Sequence, residues 1–238
     1  VIVRPLVLVP TYNERDNLRP LIAALMAIEG VRVLVVDDDS PDGTADEVET
    51  LAEGSPGRLS VMRRTGPRGL GRSYIEGMTA ALRTDATHIC QMDADFSHDP
   101  AELPRLLAAS AHADLVIGSR YIPGGELHHW PAHRVMLSAF ANWYVRTITR
   151  LSVHDCTSGF RCWTSGLLAR LPLDRIMSDG YAFQVEMAWE AHRAGGRIVE
   201  VPITFVERRE GQSKMSSRVI AESVVLPWRL AARPRGKR

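Results

Sequence analysis

The chain has 238 residues, 45% of them hydrophobic, which is enough for a substantial core and excludes a disordered or fibrous protein. Its 29 basic and 28 acidic residues leave a net charge of +1, which argues against a general nucleic-acid binder. Three scattered cysteines, Cys90, Cys156 and Cys162, exclude a disulfide framework or a cysteine zinc site and suit a reduced cytosolic chain.

Leu6 to Val9 is a short β-run that is expected to stop at Pro10, because proline cannot continue a central strand. No leader is expected, since Val1 to Val9 already has strand character. Thr11 to Glu14 forms a loop, and Asp16 or Asn17 caps a helix carrying Leu18, Leu21, Ile22, Leu25, Met26 and Ile28 on one face. Gly30 ends that helix, and Val31 to Val36 is a strand covered on both faces. Asp37, Asp38, Asp39 and Asp42 then gather at its carboxyl end. The strand, turn, helix, strand order begins a doubly wound α/β sheet, which binds ligands at that edge. Thr44 or Ser40 can cap the helix Ala45 to Leu51, but four acids exceed what capping requires.

Leu59 to Met62 is the third strand, and Arg63 to Gly71 is a basic, glycine-rich loop expected to wall a nucleotide pocket. Gly66, Gly69 and Gly71 have neither Walker nor dinucleotide spacing. A helix bearing Tyr74, Ile75, Met78 and Leu82 follows. The next strand, Thr87 to Met92, delivers Asp93 and Asp95 to the same edge. Buried acids one residue apart need neutralising, and Mg²⁺ or Mn²⁺ bound by one or two carboxylates and substrate phosphates would do it. A lone Asp-x-Asp is more often a pair of solvated acids, so its neighbours decide.

Pro100 starts a helix over about 101–110, and Asp114 to Ser119 is a strand delivering Arg120 to the same edge, where it would clamp phosphate. With no repeat or linker visible, 1–238 is expected to be a single catalytic domain. Leu127 to Pro131 is expected to be a loop. It leads to a helix with Val135, Met136, Phe140, Trp143, Tyr144, Val145 and Ile148, flanked by Arg134, Arg146 and Arg150. That aromatic helix makes 124–150 a candidate membrane-interface segment, and packing on the core accounts for it equally well. The longest uncharged apolar stretch, Val135 to Val145, is far short of the ~18–20 residues a span requires, so a soluble or peripheral protein is expected.

Asp155 to Arg161 reads as a strand or turn, Asp179 to Arg193 as an amphipathic helix with Glu186 partly buried, and Ile198 to Val206 as one last strand. Arg208, Arg209 and Lys214 surround Gly211 in a cationic loop suited to a diphosphate. Lys214 and Lys237 are the only lysines; the basic tail over 215–238 also carries Arg229, Arg233, Arg235 and Arg238.

The set Pro10-Thr11-Tyr12-Asn13-Glu14, Val36 to Thr44, Gly69-Leu70-Gly71 with Tyr74 to Met78, Met92 to His98, Gly118 to Tyr121, Ser158 to Arg161 and Arg208 to Lys214 resembles family 2 glycosyltransferases of the GT-A nucleotide-sugar-binding fold, over nearly the whole chain. The closest likeness is to the polyprenol-phosphate mannose synthases. The resemblance implies that Pro10, Tyr12, Glu14 and Asp38 hold the nucleoside, with Ala94 beside them, and that Asp93 and Asp95 handle Mg²⁺ or Mn²⁺. It implies that Arg120, Arg208 and Lys214 hold the donor diphosphate or the acceptor phosphate. Some relatives have glutamine where this chain has Ser97, which puts a third side-chain metal ligand in doubt. Some also carry transmembrane helices after the catalytic domain, where this chain shows only Val219 to Leu230 and its arginine-rich tail.

The expected reaction is inverting transfer of mannose from GDP-mannose to a polyprenyl phosphate, by a peripheral enzyme on the cytoplasmic face of a membrane, with room for a membrane-anchored partner protein. A phosphate monoester is already largely anionic near neutrality, with a second pKa of about 6, so no strong base is required and Glu186, Asp155 and His98 are not promoted to one. The alternatives are glucose or another sugar on the same lipid phosphate, transfer to a hydroxyl with an indispensable base, and a non-catalytic nucleotide-sugar-binding subunit.

Overall fold

The computed structural model describes residues 3–176, 178–207 and 217–233, the stretch 217–223 by its backbone alone. Seven strands form the central sheet: β1 (Pro5–Thr11), β2 (Arg32–Asp37), β3 (Leu59–Arg63), β4 (His88–Gln91), β5 (Leu115–Ser119), β7 (Arg161–Thr164) and β8 (Ile198–Pro202). Their order across the sheet is β3-β2-β1-β4-β7-β5-β8. β6 (Glu126–His128) and β9 (Thr204–Val206) pair separately as a parallel two-stranded ribbon. The helices are α1 (Arg15–Met26), α2 (Thr44–Glu53), α3 (Leu70–Ala81), α4 (Leu103–Ala109), α5 (Ala132–Thr149), the short α6 (Ser165–Leu168), α7 (Gly180–Arg193) and α8 (Ser217–Ala232).

The central strands are apolar on both faces because helices cover both. Val7, Val9, Val33 and Val35 bury one face against Leu18, Leu21 and Leu25 of α1, Val48 of α2 and Leu106 of α4. Leu6, Leu8, Leu34 and Val36 bury the other against Tyr74 and Met78 of α3 and Phe183 and Met187 of α7. This alternation by twos is the strand period working within a fully covered sheet.

β1 runs through Pro10, which pairs with Val36, contrary to expectation. The Leu8 carbonyl accepts from Met92 N and the Thr11 carbonyl from Asp38 N, so even-numbered residues of β1 face β4 and odd-numbered ones face β2. β4 pairs with β1 only as far as Leu8, so the missing N–H of Pro10 points to a side where the ladder has already ended. α1 starts at Arg15, with Glu14 rather than Asp16 or Asn17 at its N-cap.

Two further expectations are corrected. Glu126–His128 is a strand rather than a loop, and the predicted strand over 198–206 is two, because the chain leaves the central sheet at Ile203 and its next residues pair with β6. β7 is antiparallel to both its neighbours. Its amino end therefore lies beside the carboxyl ends of β1, β4 and β5, and the segment 155–160 that precedes it joins the ligand-binding edge.

Candidate active site

A cavity of about 500 Å³ opens at that edge, lined among others by Pro10, Tyr12, Glu14, Asp38, Asp93, Ala94 and Asp95. Seven of the expected site residues thus converge. Arg68, Gly69 and Leu70 of the glycine-rich loop line it too, as do Thr157, Gly159, Asp179, Tyr181 and Gln184, whose part the sequence did not single out. A second cavity of about 40 Å³ shares Asp93, Asp95, Thr157, Gly159 and Tyr181 with the first and adds Ser97, His98, Arg120, Trp130, Arg134 and Phe205. Asp93 and Asp95 therefore stand at the seam between a large and a small chamber.

The turn that carries the two acids is held in an uncommon shape. Phe96, between Asp95 and Ser97, sits at φ +57°, and Ser97 N donates to Asp95 Oδ1 at 3.1 Å. Tyr74 donates its hydroxyl to Asp93 Oδ1 at 3.2 Å. Burial first, and then the negative charge of Asp93, pushes that phenol well above its usual pKa, so it stays a proton donor. Gly159 lies close beside them: a Cβ there would come within 3.1 Å of Asp93 Oδ2, a tight contact that the carboxylate would have to yield to.

The four acids at the carboxyl end of β2 divide their labour. Asp37 accepts from Thr11, Ser40 N and Ser40 Oγ, and Asp42 accepts from Thr44 N, Thr44 Oγ and Arg15 N, so both shape the turn. Asp39 is exposed at φ +59°. Asp38 is the one that lines the cavity, paired with the buried Arg64 and accepting from Gly69 N at 2.8 Å. Neither Thr44 nor Ser40 caps α2, whose N-cap is Gly43. Arg68 bonds the Tyr12 hydroxyl at 2.6 Å and lies 4.3 Å over its ring, joining two walls of the large cavity. Asp179 accepts from Gly71 N and Gly180 N, and a Cβ at Gly69 would fall 2.3 Å from its Oδ2, so glycine is required for that approach.

Arg120 faces the small cavity, but its Nε and one Nη are held by Asp155, each at 2.7 Å. The expected clamp thus comes with a buried counter-ion. Burial alone would raise the Asp155 carboxyl; the Arg120 guanidinium and its hydrogen bonds outweigh that and hold it below the usual range. His98 lies between Phe160 and Phe205, and burial lowers it to about 4, so it is neutral. Glu186 lines neither cavity. It is 1% exposed, accepts from Arg233 at 2.7 Å, and ties α8 to α7. Arg134, read from sequence as a flank of α5, also lines the small cavity, pairs with Glu207 and lies 4.2 Å from the Trp130 ring. Arg208 and Lys214 fall outside the described residues.

The acids at the seam are the donors available to the divalent metal that the sequence resemblance implies. Among the described residues no cluster of three His, Cys, Asp or Glu side chains forms. Two carboxylates bordering an open chamber still suit Mg²⁺ or Mn²⁺, which leave their other positions to phosphate oxygens and water.

Residues 6–176 match the family model described as glycosyl transferase family 2. The chain is a family 2 glycosyltransferase. This glycosyltransferase is 46% identical over 235 residues to a polyprenol monophosphomannose synthase of Mycolicibacterium smegmatis, covering 97% of this chain and 88% of the relative. It is 47% identical over 238 residues to an undecaprenyl-phosphate mannosyltransferase of Micrococcus luteus, covering 99% and 98%. Among solved structures, glucosyl-3-phosphoglycerate synthase of Mycobacterium tuberculosis, in complex with Mn²⁺, uridine diphosphate and phosphoglyceric acid, aligns at TM-score 0.70. The two are 17% identical over 98% of this chain and 80% of that one, and the likeness shows the shared GT-A fold.

α5 has one face buried on the core and another exposed. Asn142, Val145 and Thr149 are its buried residues, whereas Met136 is 71% exposed and Phe140 and Trp143 each 58%. Trp228 of α8 donates to the Tyr144 hydroxyl, bringing its own exposed ring and the exposed side chains of Val224 and Val225 beside the α5 stripe. No helix among the described residues is long and apolar enough to cross a membrane.

Proposed function

We propose that this glycosyltransferase moves mannose from GDP-mannose to the phosphate of a polyprenyl phosphate, with inversion at the anomeric carbon. The observation that carries the reading is the placement of Asp93 and Asp95 between a chamber of nucleotide-sugar size and a small chamber lined by Arg120 and Arg134. The names of the two curated relatives support mannose as the sugar and a polyprenyl phosphate as its acceptor.

Tyr12, Glu14 and Asp38 would hold the nucleoside, Arg68 bracing Tyr12 from above. Asp93 and Asp95 would hold Mg²⁺ or Mn²⁺, which when bound neutralises the charge that builds on the departing diphosphate. Arg120 and Arg134 would fix the acceptor phosphate, Asp155 and Glu207 orienting their guanidinium groups. The acceptor oxygen attacks the anomeric carbon from the side opposite the diphosphate, the glycosidic C–O bond breaks, and the electron pair leaves with GDP. No proton needs to be taken from a phosphate that is already ionised, which agrees with a site whose Asp155 is tied to Arg120 and whose His98 is buried among rings.

The exposed stripe on α5 and α8 is assigned to a membrane surface on the cytoplasmic side, where a polyprenyl chain resides. Radiolabelled GDP-mannose, polyprenyl phosphate and Mn²⁺ should yield an organic-extractable, mild-acid-labile mannolipid, and Asp95→Ala should reduce its formation at least 1000-fold. Label from another nucleotide sugar appearing in the lipid in its place would overturn the donor assignment.

A further inference from the structure

The larger cavity is lined by a residue whose buried amide finds no hydrogen-bond partner among the described residues. Gln184 lies one helical turn after Gly180 in α7, and residues 180, 181 and 184 present one face to the cavity. The residue is 2% exposed, and neither its Oε1 nor its Nε2 has a hydrogen-bond partner among the described residues. Buried polar side chains are otherwise nearly always paired, and an apolar residue of the same length would fill this volume without leaving two polar atoms unmatched.

The backbone around the amide is held firmly. Arg161, fully buried, donates to the carbonyls of Gln184, Ser158 and Cys156, each at 2.8 Å. This fastens α7 to the 155–160 segment, whose Gly159 packs against Asp93. Gln184 thus belongs to the acidic end of the cavity, away from the end built by Tyr12, Asp38 and Arg68. In a nucleotide sugar the hexose lies beyond the diphosphate, so the hexose and not the base reaches this end.

The geometry points to Gln184 as a specificity-determining residue that reads the transferred sugar, its carboxamide donating to one hydroxyl of the hexose and accepting from a neighbouring one. A carboxamide sets a donor and an acceptor side by side in one plane, which suits two vicinal hydroxyls. The inference rests on the proposed use of the large cavity for a nucleotide sugar and adds the element that recognises the hexose.

The test compares wild type with Gln184→Met, which keeps the length and removes the polar atoms, and with Gln184→Glu, which keeps acceptors and removes the amide donor. Calorimetric affinity for GDP with Mn²⁺ should stay within about twofold in all three proteins. The kcat/KM for GDP-mannose should fall roughly tenfold or more in the Met variant. Singly deoxygenated GDP-mannose analogues give the decisive comparison. The wild type should discriminate against loss of one or two particular hydroxyls, and the Met variant should lose that discrimination while still penalising the others. A Met variant that keeps the wild-type pattern across the analogues overturns the assignment, as does one whose GDP and GDP-mannose affinities fall in parallel. A wild type that uses a different nucleotide sugar would refute the proposed donor; the same comparison, run with deoxygenated forms of that donor, still decides the role of Gln184.

Discussion

The Arg120–Asp155 pair allows a sharp prediction because its geometry fixes the outcome of a one-atom change. Asp155 is fully buried, and its carboxylate takes Arg120 Nε and Nη at 2.7 Å, Arg120 N at 3.0 Å and Thr157 Oγ at 3.2 Å. Asp155→Asn keeps the shape, removes the charge, and turns an NH₂ group toward a guanidinium that can only donate. The buried Arg120 cation is then left without its counter-ion, a loss worth about 3–5 kcal/mol. For a chain of this length each kcal/mol moves the melting temperature by about 2–4 °C, so a drop on the order of 10 °C is expected by calorimetry. The pH dependence supplies a second reading. Because the folded-state pKa of Asp155 is depressed, its contribution is complete above its unfolded pKa of about 3.9 and fades as pH falls through the lower folded value. The gap between wild type and variant should therefore be constant near neutrality and close in acid. A melting temperature within about 3 °C of wild type at pH 7 would refute the claim that this pair is a desolvated, mutually dependent ion pair.

Glu186→Gln should retain measurable turnover, since the residue borders neither cavity; its partner Arg233 is 38% exposed, so the stability cost should be small, about 1 kcal/mol in urea titration. Abolished turnover in a folded Glu186→Gln protein would reinstate a glutamate base. Replacing Phe140 and Trp143 together by serine should weaken co-sedimentation with anionic polyprenyl-phosphate vesicles about tenfold or more, each ring removed taking roughly 1 kcal/mol of interfacial burial with it. Undiminished sedimentation would detach the α5 stripe from the lipid.

The strands β1 to β5 and the helices between them were legible because their patterns are local: β-branched runs bounded by turn residues, and apolar spacing of three and four. Their carboxyl ends follow from order alone, which puts Asp38, Asp93, Asp95 and Arg120 at one edge. What escaped was non-local. The tolerance of Pro10 within β1 depends on where β4 stops pairing, a fact about another segment. β6 was missed because three residues, Glu126–His128, hold no pattern of their own and become a strand only by meeting β9. The partners of the site residues were equally invisible: nothing in the spacing of Arg64 from Asp38, or Asp155 from Arg120, announces that these charges are buried together. Gln184 gave one faint signal, a polar residue between Phe183 and Val185 in a helix start rich in apolar side chains.

The reversed strand in the middle of the sheet also bears on how the chain must assemble. β1 to β4 are complete once residue 91 has been made, yet the outer edge of β4 has no neighbour until residues 161–164 arrive, and β5, made in between, has nothing to lie against before then. Until that late segment slots in, the nascent polypeptide carries an open, apolar strand margin of the kind that recruits foreign chains. Fragments ending near residue 150 are therefore expected to precipitate rather than to behave as small folded units, and a chaperone acting on this protein has most to guard during those seventy residues of synthesis.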